Sequence, residues 1–217
     1  MTLLDYELRY RRRGWQVVPI PAGQKARRIR EWQMMRLTEA EAVKCFNGAG
    51  NIGIILGQAS GGFVDIDLDC PEAIQFAQSL LPTTQSIFGR ISKPRSHWLY
   101  RVSRPAPSLQ FKDPIRGDTL LELRGDGSRQ TVFPPPIHPS GESIDWSEHG
   151  DPQQVDYLAL TKQVKLLAAR CLIARYLPGV TNGTELWRAL SDVDERAAER
   201  IQDWIAMPTA PAVSPTS

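Results

Sequence analysis

Cysteine is scarce in this 217-residue chain: Cys45, Cys70 and Cys171 are odd in number and far apart. That spacing excludes a disulfide framework and a Cys-x-x-Cys zinc site, and it fits a reducing compartment. Long apolar runs are missing too: none approaches the roughly 20 residues that span a bilayer, and no apolar signal core precedes the first arginines. A soluble, cytoplasmic protein with no membrane partner is expected. Net charge is nearly absent, since 26 basic and 24 acidic residues leave +2. Such a balance is not that of a protein that binds nucleic acid by bulk charge.

The charge is unevenly spread. Arg9, Arg11, Arg12, Arg13, Lys25, Arg27, Arg28 and Arg30 fall in one stretch without an acid, which reads first as a solvated face. Trp32 beside Arg27, Arg28 and Arg30 makes the exception, because an aromatic ring next to cations grips single strands without sequence preference. At 41% apolar, the chain can bury a core. Residues 3–13 read as a helix stopped by Gly14, and residues 15–20 as a strand ended by prolines. Thr38-Glu39-Ala40-Glu41 is a capping box opening a helix to about Phe46. Strands are expected over 52–56, 86–91, 97–102, 119–124 and 129–133, with a tight turn at 124–128 between the last two. A long helix follows from 153 to about 176, with at least one more in 184–206. The proline-rich residues 208–217 read as a flexible tail or linker.

The most informative stretch is Gly62-Phe63-Val64-Asp65-Ile66-Asp67-Leu68-Asp69, an apolar run broken at every second residue by a carboxylate. On a strand, Asp65, Asp67 and Asp69 project to one face, where they repel one another unless cations neutralise them. The simplest cation is a divalent metal. Ser60-Gly61-Gly62 reads as a turn that pairs this strand with 52–56 as a hairpin, and Asp69 as the cap of a helix over 71–81 that starts at Pro71. Glu122, alone on the apolar strand Leu120–Arg124, completes a three-carboxylate set if it opposes Asp65 and Asp67. Such a set holds two Mg²⁺ or Mn²⁺ ions roughly 3.5–4 Å apart, as two-metal phosphoryl transfer requires. Lys93-Pro94-Arg95-Ser96-His97 gathers cations, a hydroxyl and a histidine, a grouping that suits a triphosphate.

Five elements in one order resemble a known family: Gly14–Pro19 with Lys25, Asn51–Ile54 with Gly57, Val64–Asp67, Arg95–Tyr100, and Glu122–Gly127 through Pro134–Gly141. Together they resemble the bifunctional primase-polymerase domain of the archaeo-eukaryotic primase superfamily over roughly residues 5 to 160. The resemblance implies an α/β (α+β) core with a mixed or antiparallel central sheet flanked by helices, followed by a small helical region. It implies a nucleotidyltransferase acting as DNA primase or polymerase on a single-stranded DNA template with nucleoside triphosphates. A replicative helicase in cis or trans and a plasmid, phage or other mobile element form the usual setting. By the same resemblance Asp65, Asp67 and Glu122 hold the metals, and His97 contacts the incoming phosphates. Arg95, which stands where the family has serine, Ser96 and Lys93 assist it, while Lys25, Arg129 and His138 fall at nucleotide-contacting or supporting positions. Residues 1–160 are then the catalytic domain and 161–207 a helical accessory region. Two rivals stay open: a metal-dependent nuclease, which needs the carboxylates but no triphosphate pocket, and a non-catalytic nucleic-acid-binding or helicase-recruiting module.

Overall fold

Alternation along residues 63–68 divides the molecule into two layers. In the computed structural model, which describes residues 1–24, 32–126, 129–135 and 140–206, the chain runs α1 (Leu3–Arg12), β1 (Gln16–Pro21), α2 (Glu39–Cys45), β2 (Gly50–Ile55), β3 (Phe63–Leu68), α3 (Pro71–Leu80), β4 (Ser86–Arg90) and β5 (Lys93–Arg101). It continues through β6 (Leu109–Lys112), β7 (Thr119–Arg124), β8 (Gln130–Phe133), β9 (Ile144–His149), β10 (Gln153–Gln154), α4 (Tyr157–Tyr176), α5 (Gly183–Ala189) and α6 (Glu195–Ile205). A seven-stranded sheet has the order β6-β7-β3-β5-β4-β9, with β10 pairing parallel to the end of β5, and β1, β2 and β8 form a separate antiparallel sheet.

On β3, Val64, Ile66 and Leu68 point to one face and pack with Trp98, Tyr100, Leu121 and Leu123 against Ala73 and Ala77 of α3, Leu160, Val164 and Leu167 of α4, and Ile201 and Trp204 of α6. Phe63 points the other way. It joins Phe88 and Leu99 in a second core closed by Trp15, Ile52, Ile54 and Phe133 of the small sheet and its flank, and by Tyr10 of α1. Beyond Phe63, the same side of β3 carries Asp65 and Asp67. The candidate site therefore begins where the second core ends.

Several elements follow from local chemistry. Thr38 caps α2 as expected: the Glu41 amide donates to its hydroxyl at 3.3 Å and the Thr38 amide donates to the Glu41 carboxylate at 2.8 Å. Gly14, with φ 78°, turns the chain from α1 into β1. The expected hairpin does not form. β2 and β3 lie in different sheets because the chain leaves β2 through a 3₁₀ turn at Gln58–Ser60. Gly57 and Gly62 make that passage possible: both have positive φ, and a Cβ would lie 2.0 Å from an Asp126 oxygen at the first and 1.9 Å from the Val102 carbonyl at the second. The strands on either side of the turn expected at 124–128, β7 and β8, likewise lie in different sheets, and residues 127–128 lie outside the described residues. Asp126 accepts from the Gln58 and Ala106 amides at 2.8 and 2.5 Å.

Asp69 does not cap α3. Cys70 occupies that place and accepts from the Ala73 amide at 3.4 Å, ahead of Pro71. Residues 153–154 are strand rather than helix, and α4 starts behind the Asp156 cap. The division expected between 160 and 161 falls inside α4, and the side chains of α4 to α6 bury into the same core as the large sheet.

Arg175, near the end of α4, is 6% exposed and donates to Glu72 on α3 at 2.8 Å, to Asp113 at 2.8 Å and to Asp118 at 3.0 Å. It locks α4 onto α3 and onto the β6–β7 turn. The guanidinium holds the Glu72 carboxyl at about 2, far below its ordinary 4.5. That contribution to stability is full above the ordinary value and is lost as pH falls toward the folded one. Arg175→Met should therefore cost about 3 kcal/mol at neutral pH, because buried Asp113 loses its cation. It should also flatten the acid limb of stability between pH 4.5 and about 2, as read by urea denaturation across pH.

Candidate active site

Register assembles the site. Asp67 on β3 lies between His97 on β5 and Glu122 on β7, while Asp65 lies between Leu99 and Arg124. Facing residues of adjacent strands stand about 5 Å apart, so three strands bring acid, imidazole and guanidinium into contact.

Asp65 is fully buried. Its oxygens lie 3.1 and 3.2 Å from His97 Nδ1, and one accepts from the Thr131 hydroxyl of the small sheet at 2.6 Å. Burial opposes the charge on Asp65, but His97, Arg124 and Thr131 outweigh it and hold the carboxyl below its ordinary value. For His97, burial likewise favours the neutral form, yet Asp65 and Asp67 raise its pKa above 6.5. Phe88 stacks on the imidazole at 4.5 Å and 16°, fixing the ring plane.

Arg124 was not singled out from the sequence as a site residue, and it sits among the acids. Its Nη1 is 3.3 Å from Asp67 and 3.7 Å from Asp65, its Nε is 3.7 Å from Glu122, and its Nη2 donates to the Gln130 carbonyl at 2.6 Å. The local signal was its place two residues after Glu122 on the same strand face. Asp69 accepts from Lys93 Nζ at 2.8 Å, and burial together with Asp67 raises its pKa.

Among the described residues, the acids whose oxygens converge within 4.8 Å are Asp67, Asp69 and Glu122. The expected trio had Asp65 in place of Asp69. The difference follows from partners: Asp65 is turned toward His97 and Thr131, whereas Asp69, just past the end of β3, folds back toward Asp67. An all-oxygen, anionic donor set is the kind that hard divalent ions such as Mg²⁺ and Mn²⁺ take.

A cavity of about 150 Å³ opens beside these acids, lined by Asp67, Asp69, Arg90, Lys93, Ser96, His97, Arg124 and Thr131 among others. Arg90, at the end of β4, is a further cation that the sequence did not single out. Arg95 is absent from this lining. A bulge in the β4–β5 pairing and a left-handed Arg95 (φ 52°) turn its guanidinium to Gln78 of α3 at 2.9 Å and Glu148 of β9 at 2.8 Å, over the Trp98 ring. Gly89 permits the bulge, since a Cβ there would lie 2.5 Å from the Lys93 carbonyl. Arg129 is exposed and outside the cavity, its carbonyl accepting from the Leu56 amide at 3.0 Å. Trp32 is half-buried over Val18, Ile20 and Ile55 on the small sheet. Lys25, Arg27, Arg28, Arg30 and His138 lie outside the described residues.

The family model for the N-terminal domain of bifunctional DNA primase/polymerase matches residues 7–158. The chain belongs to that family. No curated protein sequence matches it. The mixed α+β architecture with antiparallel sheets is consistent with a primase/polymerase core. Membership supports nucleotidyl transfer on DNA and nucleotide substrates, and the acidic group supports divalent-ion binding. No described helix is long and apolar enough to cross a membrane.

The His97–Asp65 pair contributes fully between the ordinary Asp value of 3.8 and pH 6.5; it fades as pH rises through the raised value of His97 and as pH falls through the lowered value of Asp65. In metal-free protein the His97 imidazole should titrate above 6.5, and Asp65→Asn should bring it down. Nitrogen-15 NMR of the histidine side chains across pH reads both.

Proposed function

We propose that this domain acts as a DNA primase or DNA polymerase, or both, by template-directed nucleotidyl transfer with two divalent ions, in the replication of a plasmid, phage or other mobile element. The observation that carries this reading is one cavity in which Asp67 and Asp69, on which Glu122 converges, face Arg90, Lys93 and His97. A nuclease needs the acids alone; the cations opposite them suit a triphosphate.

In this reading Asp67, Asp69 and Glu122, whose oxygens converge, hold the metals, while Asp65 orients His97 and is kept in the metal-holding set on the family resemblance alone. When bound, Mg²⁺ or Mn²⁺ supplies charge neutralisation to the attacking 3′-hydroxyl and the departing pyrophosphate. His97, Lys93 and Arg90 grip the phosphates, and buried Ser96 lines the same wall. The Phe88 stack and the Asp65 contact hold the imidazole still, so little reorganisation is left for the reaction. Lys25, Arg129 and His138 are assigned supporting nucleotide contacts on the family resemblance alone, and Arg27, Arg28, Arg30 and Trp32 a path for the single-stranded template. Residues 161–207 serve as the accessory region, and a helicase in cis or trans is the natural partner.

Incubation with a primed single-stranded template, labelled nucleotides and Mn²⁺ tests this. Wild-type protein should extend the primer, and Asp67→Asn or Glu122→Gln should each slow it by about 10²-fold or more. DNA cleavage without synthesis would replace the polymerase reading with the nuclease one.

A further inference from the structure

The guanidinium of Arg124 is held unevenly. Its firm bond is to the Gln130 carbonyl of the small sheet, at 2.6 Å. Its contacts with the acids are longer, 3.3 Å to Asp67 and 3.7 Å to Asp65 and Glu122, and its buried Nε has no hydrogen-bond partner. The side chain is 18% exposed and lines the cavity with Arg90 and Lys93. Carboxylates crowded on adjacent strands require a counter-charge, and Arg124 supplies it at the oxygens of Asp67 and Glu122, two of the three that converge. A divalent ion on those oxygens would sit at roughly 2.0–2.6 Å from them and would repel a guanidinium nearby.

We infer that Arg124 is the built-in counter-ion of the carboxylate cluster, that it competes with the divalent ion for Asp67 and Glu122, and that once displaced it swings about its Gln130 anchor to meet the nucleotide phosphates. This rests on the nucleotidyl-transfer reading above. The empty site is thereby kept neutralised, and the arriving ion converts a guanidinium occupied by acids into one available to an anion. Ion and nucleotide are then positively coupled through one side chain, and by linkage the coupling is reciprocal.

Manganese titration of nucleotide-free protein, followed by the electron paramagnetic resonance of free Mn²⁺, tests the competition. Arg124→Gln should bind Mn²⁺ about tenfold tighter than wild type, Arg124→Lys should stay close to wild type, and Asp67→Asn should lose binding. At saturating Mn²⁺, Arg124→Gln should also raise the KM for nucleotide more than it lowers kcat. Equal or weaker Mn²⁺ binding by Arg124→Gln, with binding still lost in Asp67→Asn, overturns the role of Arg124 and leaves the metal site standing. No saturable binding in any variant overturns both. If Arg124→Gln does not fold, Mg²⁺ titration of wild type followed on the arginine Nε–H resonances carries the test, and an Arg124 signal that does not move overturns the inference.

Discussion

Repulsion among carboxylates on one strand face is the constraint on which the rest of the site depends. β3 cannot slip by a residue to carry these acids elsewhere, because Val64, Ile66 and Leu68 are committed to the helical core on the other side. The acids must therefore be compensated where they stand. Asp65, the most deeply buried, takes His97 and Thr131; Asp67 takes Arg124; Asp69 takes Lys93. The partners come from three strands: His97 and Lys93 from β5, Arg124 from β7 and Thr131 from β8. Charge compensation thus ties β3, β5, β7 and β8 together, and with them the two sheets.

What was legible in the sequence was what neighbours in the chain determine. The alternation of residues 63–68 showed which side chains share a face, and the Thr38 capping box placed the start of α2. Pairing between distant segments was not legible. Nothing local shows that the strand ending at Ile55 and the one starting at Phe63 belong to different sheets; that follows from the passage at Gly57 and Gly62, which fits only because Asp126 and Val102 close over it. Arg95 illustrates the same limit. Spacing put it on the face of His97, but a bulge that sets three residues of β5 opposite Gly89 carried its guanidinium to α3. Glu122 beside Asp67 was inferred by resemblance and is brought there by register, whereas the approach of Arg124 to three acids was visible only in three dimensions.

The wall of the cavity opposite the acids is held by a second set of charges. Glu142 accepts from the Ser92 amide and hydroxyl, each at 2.8 Å, and from Arg90 at 2.8 Å. These donors, led by Ser92, hold its carboxyl at about 2, so it is ionised wherever the domain is folded at ordinary pH. The tip of the β4–β5 hairpin, which carries Arg90 and Lys93 into the cavity, is therefore clamped to the segment that leads into β9. Cations meant for a polyanion are costly to keep close together in an empty site. Here each has an acid to lean on, Arg90 on Glu142 and Lys93 on Asp69.

That arrangement bears on the kind of chemistry the fold suits. Phosphoryl transfer asks little covalent participation of the protein and much positioning of charge. A site whose acids and bases pair with one another can accept metal cations and phosphate anions together by exchanging partners, so that no charge is left unpaired. The exchange costs little because the cations reside on long side chains at the cavity edge, Arg90, Lys93 and Arg124, while the acids sit on or beside the ends of rigid strands. His97 is the exception, a short side chain pinned by Phe88 and Asp65, and so it is the fixed point against which the movable charges are set.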